Sequence, residues 1–308
     1  MPHLRIVFAG TPAVAVPTLD RLAASDHEVV AVVTRPPAPL GRKRVLTPSP
    51  VAQAAERLGI PVIDAARLDA DATERIAALR PDLGVVVAYG GLVREPLLST
   101  PTHGWINLHF STLPAWRGAA PVQRALIAGD AELGASVFRL VPELDAGDVY
   151  ASRSRAVAPG ETAGLALESL AETEADLVLD VVDAIAAGTA VAVPQRGEPS
   201  FAPKLSIEDG RLDWHRTTVE VDAHLRGVTP EPGAHTEVDG VRVKVLDAVP
   251  APHAPALEPG ELRMDGKRVY AGTSDGAMEL RRVQPAGRTG MGAADWWRGL
   301  GVARAEAR

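Results

Sequence analysis

The chain has 308 residues, a formal net charge of −7 and no cysteine. At roughly 100–200 residues per domain, this length predicts two domains. The lack of cysteine excludes a disulfide scaffold, Cys-ligated zinc or iron–sulfur, and thiol catalysis. Asp and Glu number 39 against 32 Lys and Arg, which argues against a protein gripping nucleic acid over its whole surface. No secretory signal follows Met1, and no apolar run reaches the ~18 residues of a membrane span. A cytoplasmic protein without membrane attachment is expected.

The first half alternates strand and helix patterns. Leu4 to Ala9 is an apolar run ended by Gly10-Thr11-Pro12, and Ala13 to Ala24 carries apolar residues at helical spacing. Val29 to Val33 is β-branched and apolar on both faces, as in a sheet covered on both sides. Pro50 to Leu58 predicts a helix stopped by Gly59, and Ile60 to Ile63 a brief strand. Asp69 to Leu79 predicts a helix and Leu83 to Tyr89 a third strong strand. Ile106 to Phe110 reads as a strand end, Ala119 to Ile127 as a helix, and Ala135 to Val141 and Val149 to Val157 as strands. Thr162 to Ala187 reads as one long helix, closed by Gly188. Such alternation means right-handed crossovers and a mostly parallel, Rossmann-like α/β sheet. Residues 1–190 are assigned to this domain and 191–205, bearing Pro and Gly, to a linker. Over 206–308 short alternating strands are separated by Asp239-Gly240, Asp265-Gly266 and Asp275-Gly276. These are hairpin signals, and they predict a small β-barrel of the oligonucleotide-binding (OB) sort.

The first strand-turn-helix does not suit a dinucleotide, because Pro12 and Val14 stand where that fingerprint needs small residues. No phosphate-binding P-loop motif occurs. Asn107 and His109, at i and i+2, share one face of a strand end, where α/β sheets bind ligands. An amide beside an imidazole can hold a carbonyl oxygen and stabilise the charge it gains under nucleophilic attack. A Pro-bounded loop, Ser111 to Pro121, follows. Thirty-six residues after His109, Asp145 lies in the turn Leu144-Asp145-Ala146-Gly147. A carboxylate facing His109 raises the imidazole's pKa and keeps it positive. Read singly, His109 is equally a strand-end histidine and Asp145 a turn former.

Together, Asn107, His109 and Asp145 with the S-x-L-P loop at Ser111 to Pro114 resemble the catalytic signature of 10-formyltetrahydrofolate-dependent formyltransferases. The run Trp116 to Ala125 is similar to the branch that acts on charged methionyl initiator tRNA. So are Phe8 to Pro12, Ala88-Tyr89-Gly90, Ala202-Pro203-Lys204, His224 to Gly227 and Pro232-Gly233-Ala234. Thr112 and Phe110 depart from the usual pattern, where Leu and Pro are common. The resemblance implies formyl transfer from 10-formyltetrahydrofolate to the amine of the charged initiator tRNA; imidazole, amide and carboxylate need no metal for it, and a monomer is expected. It further implies that Ser111, Thr112, Leu113 and Pro114 line the folate pocket with Ala88, Tyr89 and Gly90. In this scheme His109, held protonated by Asp145, and Asn107 donate to the oxyanion. Asp145 accepts the proton released by the amine.

Between Val29 and Ala55 there is no acidic residue, while Arg35, Arg42, Lys43 and Arg44 are basic. Pro36, Pro37, Pro39 and Gly41 predict an exposed loop rather than a helix or strand. Such a loop suits phosphate and base contacts near a tRNA acceptor end. The resemblance implies the same role for Arg42, Lys43 and Arg44, with Arg42 inserting. Residues 206–308 carry 14 Lys and Arg against 16 Asp and Glu, so RNA contact there needs a local face. Formyl transfer to a nucleotide sugar or glycinamide ribonucleotide, a Ser111–His109 hydrolase and a non-catalytic RNA-binding module are the competing readings. The first meets the G-A-A-P-V-Q-R run and the second domain. The hydrolase lacks the G-x-S-x-G elbow, and the intact trio argues against the third.

Overall fold

A computed structural model of the chain describes residues 3–41 and 44–308. In chain order the first elements are β1 (Arg5–Gly10), α1 (Val16–Ala23), β2 (Glu28–Thr34), β3 (Ala38–Leu40), β4 (Val45–Thr47), α2 (Pro50–Leu58), β5 (Val62–Asp64), α3 (Ala70–Ala78) and β6 (Leu83–Val87). After them come β7 (Trp105–His109), α4 (Pro121–Ala128), β8 (Glu132–Arg139), β9 (Val149–Ala156), α5 (Ala163–Thr173) and α6 (Ala175–Ala186). Seven strands form one sheet in the order β5-β2-β1-β6-β7-β8-β9. The first five run parallel, and β8 runs antiparallel to β7. Burial dictates the apolar runs: Ile6 to Ala9, Ala31 to Val33 and Val85 to Val87 are all buried, as strands covered on both faces must be. The helices between them start and stop on local chemistry. Ser49 caps α2 by accepting from the Ala52 amide at 3.0 Å, and Gly59, left-handed at φ 70°, ends it.

Two local expectations need correction. The basic segment is not a bare loop: β3 and β4 pair antiparallel, with Ala38 opposite Thr47 and Leu40 opposite Val45. Pro39 is tolerated because a two-stranded ribbon leaves one edge free of donor demand. Secondly, 162–187 is two helices, interrupted at Glu174 (φ −93°, ψ 0°). The apolar repeat runs through this break without changing phase, so periodicity alone does not reveal it.

The C-terminal sheet holds β10 (His235–Val238), β11 (Val241–Pro250), β12 (Glu261–Asp265), β13 (Arg268–Gly272), β14 (Ala277–Pro285), β15 (Met291–Gly292) and β16 (Arg304–Glu306). Their order is β10-β11-β14-β13-β12-β16, with β15 on β14. A bridge from Val238 to Ala307 brings the two ends together, giving a nearly closed, barrel-like sheet. The Asp-Gly signals are honoured. Asp239 and Gly240 both take positive φ, at 50° and 74°, as a tight two-residue hairpin requires. Two helices escaped the sequence reading: α7 (Thr218–Gly227), which opens on a Thr217–Glu220 capping box, and α8 (Ala293–Leu300). Trp296 and Trp297 on α8 are buried in this unit's core with Trp214, Leu262, Met278 and Val283.

The chain forms two compact units. One comprises 1–121, 133–155 and 167–201; the other comprises 122–132, 156–166 and 202–308. Of the expected linker, 191–201 falls in the first unit and 202–205 in the second. Within the second, Gly227 of α7 lies so close to the Gln123 and Ile127 backbone that a Cβ would come to 2.8–2.9 Å of it. Arg124 meets Asp209 at 3.0 Å and donates to the Pro203 carbonyl at 3.2 Å. No helix among the described residues is long and apolar enough to cross a membrane.

Candidate active site

Asn107 and His109 stand at the carboxyl end of β7, opposite Phe138 and Ser136 of β8. The His109 ring is 6% exposed and packs edge-on to Phe138, with centroids 6.3 Å apart. Its Nε2 lies 2.8 Å from the Trp116 carbonyl. A carbonyl only accepts, so Nε2 carries the proton. The other nitrogen, Nδ1, faces Asp145 Oδ2 at 3.9 Å, and that oxygen accepts from the Gly118 amide at 2.7 Å. Among the described residues the Asn107 carboxamide has no hydrogen-bond partner. Its donors and acceptor are free for a ligand.

The turn carrying Asp145 is built by close backbone approach. A Cβ on Gly147 would collide with the Arg139 carbonyl, so only glycine fits. Asp145 itself takes φ 46° and Trp116 φ 60°. Non-glycine residues held left-handed concentrate at functional sites, and a third, Ala88 at φ 48°, follows β6 on the neighbouring strand.

The electrostatics correct one expectation. Burial pushes His109 below the ordinary histidine value, and this outweighs the raising effects of the Asp145 charge and the Trp116 carbonyl. Burial therefore works against the expectation that Asp145 holds the imidazole positive. A carboxylate 3.9 Å away, itself bonded to Gly118, does not offset the desolvation of a ring this enclosed. Burial lowers His235 as well, with the Arg242 charge adding to it. Both groups bind protons more readily in the unfolded chain, where histidine titrates near ~6.5. Their contribution to stability is thus present above that pH and lost on acidification. We expect the urea midpoint to fall between about pH 7.5 and about pH 5.5, and to fall less in His109→Gln. Equal falls in both proteins would show that His109 is not a source of the effect.

The loop after β7 is held by hydroxyls. Ser136, fully buried, donates to the Ser111 carbonyl at 2.8 Å and accepts from the Leu113 amide at 3.1 Å. Ser152 lies 2.8 Å from Ser136 Oγ. Ser111 Oγ donates to the Ala115 carbonyl at 2.6 Å, so it is committed to shaping the loop. Thr112 is exposed, and Leu113 and Pro114 are partly buried. Ala88, Tyr89 and Gly90 leave β6 beside the end of β7. The Tyr89 side chain turns into the apolar cluster of Val7, Val33 and Ile63. Its hydroxyl donates to the Ala65 carbonyl at 3.2 Å, and burial raises its pKa.

Of the basic trio, Arg42 and Lys43 lie outside the described residues. Arg44 is exposed at φ 49°, beside Val45 and Leu46, which are 59% and 67% exposed. Residues missed in the sequence are Ser136, Ser152, Gln195 and Ser200. Ser200 Oγ accepts from the Trp116 amide at 2.8 Å, and its carbonyl accepts from the Arg117 amide at 2.8 Å. Single polar residues in a strand and a connector carry no pattern that sets them apart.

Comparison with known proteins decides the family. Residues 4–182 match the family described as Formyl transferase, and 204–301 match Formyl transferase, C-terminal domain. The chain belongs to the formyl transferase family. It is 62% identical to the methionyl-tRNA formyltransferase of Clavibacter sepedonicus over 96% of this chain and 97% of that protein. Identity is likewise 62% to the methionyl-tRNA formyltransferase of Leifsonia xyli subsp. xyli, over 97% of this chain and 98% of the other. Among solved structures, HypX from Aquifex aeolicus in complex with tetrahydrofolic acid aligns with a TM-score of 0.68 at 19% identity. That alignment covers 96% of this chain and 47% of HypX, and it speaks for the fold alone. Within this formyl transferase, no group of three or more His, Asp or Glu among the described residues is placed to hold a metal ion.

Proposed function

We propose that this chain transfers the formyl group of 10-formyltetrahydrofolate to the α-amino group of methionyl-initiator tRNA, giving N-formylmethionyl-tRNA. The observation that carries this reading is Asp145 facing His109 at 3.9 Å, with Asn107 two residues before His109 on β7, in a chain 62% identical to methionyl-tRNA formyltransferases over nearly its whole length. The same reading makes it a cytoplasmic monomer. Residues 1–190 would hold the chemistry, and 206–308 would add contacts to tRNA.

An ordinary α-amino group titrates near ~7.7–8, so the nucleophile needs little activation. The demanding charge is the oxyanion formed as nitrogen attacks the formyl carbon. The free Asn107 amide donates to it. Neutral His109, with its Nδ1 toward Asp145, becomes a second donor only when protonated. The proton leaving the attacking nitrogen supplies that charge, shared by the His109–Asp145 pair, and then passes to the departing folate nitrogen. The new bond is nitrogen to formyl carbon; the broken one is formyl carbon to folate nitrogen. The folate lies against Ser111, Thr112, Leu113 and Pro114 and the backbone of Ala88, Tyr89 and Gly90. The Tyr89 ring is spent on packing.

Arg42, Lys43 and Arg44, which fall between β3 and β4 in the sequence, meet the tRNA near its acceptor end. Incubation with 10-formyltetrahydrofolate should formylate charged initiator tRNA and not the elongator; formylation of neither would overturn the function. Replacing Arg42, Lys43 and Arg44 together by alanine should raise the apparent KM for tRNA and flatten its dependence on salt. An unchanged KM and salt slope would remove the loop from the interface.

A further inference from the structure

We propose that Gln195 is a positioning residue for formyl transfer, clamping the Asp145 turn to Arg117 so that the Asp145 carboxylate stands at a fixed place beside His109. The inference rests on the function proposed above and extends its machinery to the connector after α6. That connector is otherwise mostly exposed. It is tied to β9 through Val193, whose amide and carbonyl both bond Val149, at 2.9 and 2.8 Å. Two residues on, Gln195 spends its whole carboxamide. Nε2 donates to the Asp145 carbonyl at 2.8 Å and the Gly147 carbonyl at 2.9 Å. Oε1 accepts from Arg117 Nη2 at 2.7 Å and Nε at 3.2 Å. Two donors meet two carbonyls and one acceptor takes two N–H groups, a demand that among the side chains only an amide satisfies.

The bonds close a ring. Arg117 reaches Gln195, Gln195 holds the Asp145 backbone, and the Asp145 carboxylate returns to the Gly118 amide. The carbonyl of Trp116, the residue before Arg117, accepts the hydrogen bond from His109 Nε2. The two loops that carry the groups around His109 are thus referenced to one amide. Asp145 is left-handed at φ 46°, a conformation that persists only where its surroundings impose it.

The test compares Gln195→Glu and Gln195→Met with the full-length protein. Glutamate keeps the acceptor for Arg117 but turns an oxygen toward the two carbonyls; methionine keeps the length and loses every bond. Each variant should lower kcat about 10–100-fold, with KM for folate and for charged tRNA changed by less than about threefold. In an Asp145→Asn background, Gln195→Glu should cost nothing further. An NMR titration of the His109 ring, read without substrate, should shift in both variants. An unchanged kcat with an unchanged His109 titration overturns the assignment, as does an equal loss in the Asp145→Asn background. If the wild-type protein formylates no charged tRNA, the functional reading fails. The His109 titration then still decides whether Gln195 governs the pair.

Discussion

Asp145→Asn should lower single-turnover formyl transfer by about 10²–10⁴-fold, the range for loss of a proton acceptor in the transition state. Asparagine nearly preserves shape, and its side-chain oxygen can still accept from the Gly118 amide, bonded at 2.7 Å in the native protein. The turn and its Gln195 clamp are therefore retained, and the change removes charge rather than architecture. Two effects combine. On the proposed mechanism the attacking nitrogen loses a destination for its proton, and His109 loses the Asp145 charge that raises it against the pull of burial. Folate binding, which the proposed function gives to the Ser111 to Pro114 loop, should stay within a few-fold of wild type. Quenched-flow measurement with saturating co-substrate reads the chemical step directly. A rate within about tenfold of wild type would take Asp145 out of the proton path.

His109→Ala should cost about 10²–10³-fold in the same measurement, the effect of losing one oxyanion donor. The ring is enclosed, so the truncation also leaves a void beside Phe138 and frees the Trp116 carbonyl. His109→Gln separates the two consequences, because its amide can still donate to that carbonyl yet cannot become a cation. If charge created during the reaction is what His109 contributes, both variants are slow, although Gln restores packing. Recovery of the rate in His109→Gln would reduce His109 to a fixed donor. If the two residues share one proton as proposed, the double variant His109→Ala with Asp145→Asn should be little slower than the slower single.

How much of this is legible in the sequence depends on the range of the interaction. The parallel strands announce themselves, because Val29 to Val33 and Leu83 to Val87 are apolar on both faces. Asn107 and His109 are readable because strand geometry alone puts i and i+2 on one side. Asp145 is found by motif, not by spacing. The protonation state of His109 is beyond sequence: it turns on how far the ring is enclosed, and the enclosure comes from Phe138 and the loop at Trp116. Ser136 and Gln195 are equally silent, since their roles exist only once distant carbonyls converge on them. The run Trp116 to Ala125 reads as one signature but divides physically. Trp116 and Arg117 build the site, while Gln123 and Arg124 serve packing around Gly227 and Asp209.

The interleaving of the two units bears on how such a protein can be taken apart. Because 122–132 and 156–166 belong with the C-terminal sheet, the polypeptide passes from one unit to the other several times before residue 202. A single cut in the connector yields neither half intact: the N-terminal fragment keeps two pieces whose packing partners have been cut away, and the C-terminal fragment lacks those pieces. Whatever the second unit contributes must be inherited together with the seven-stranded sheet.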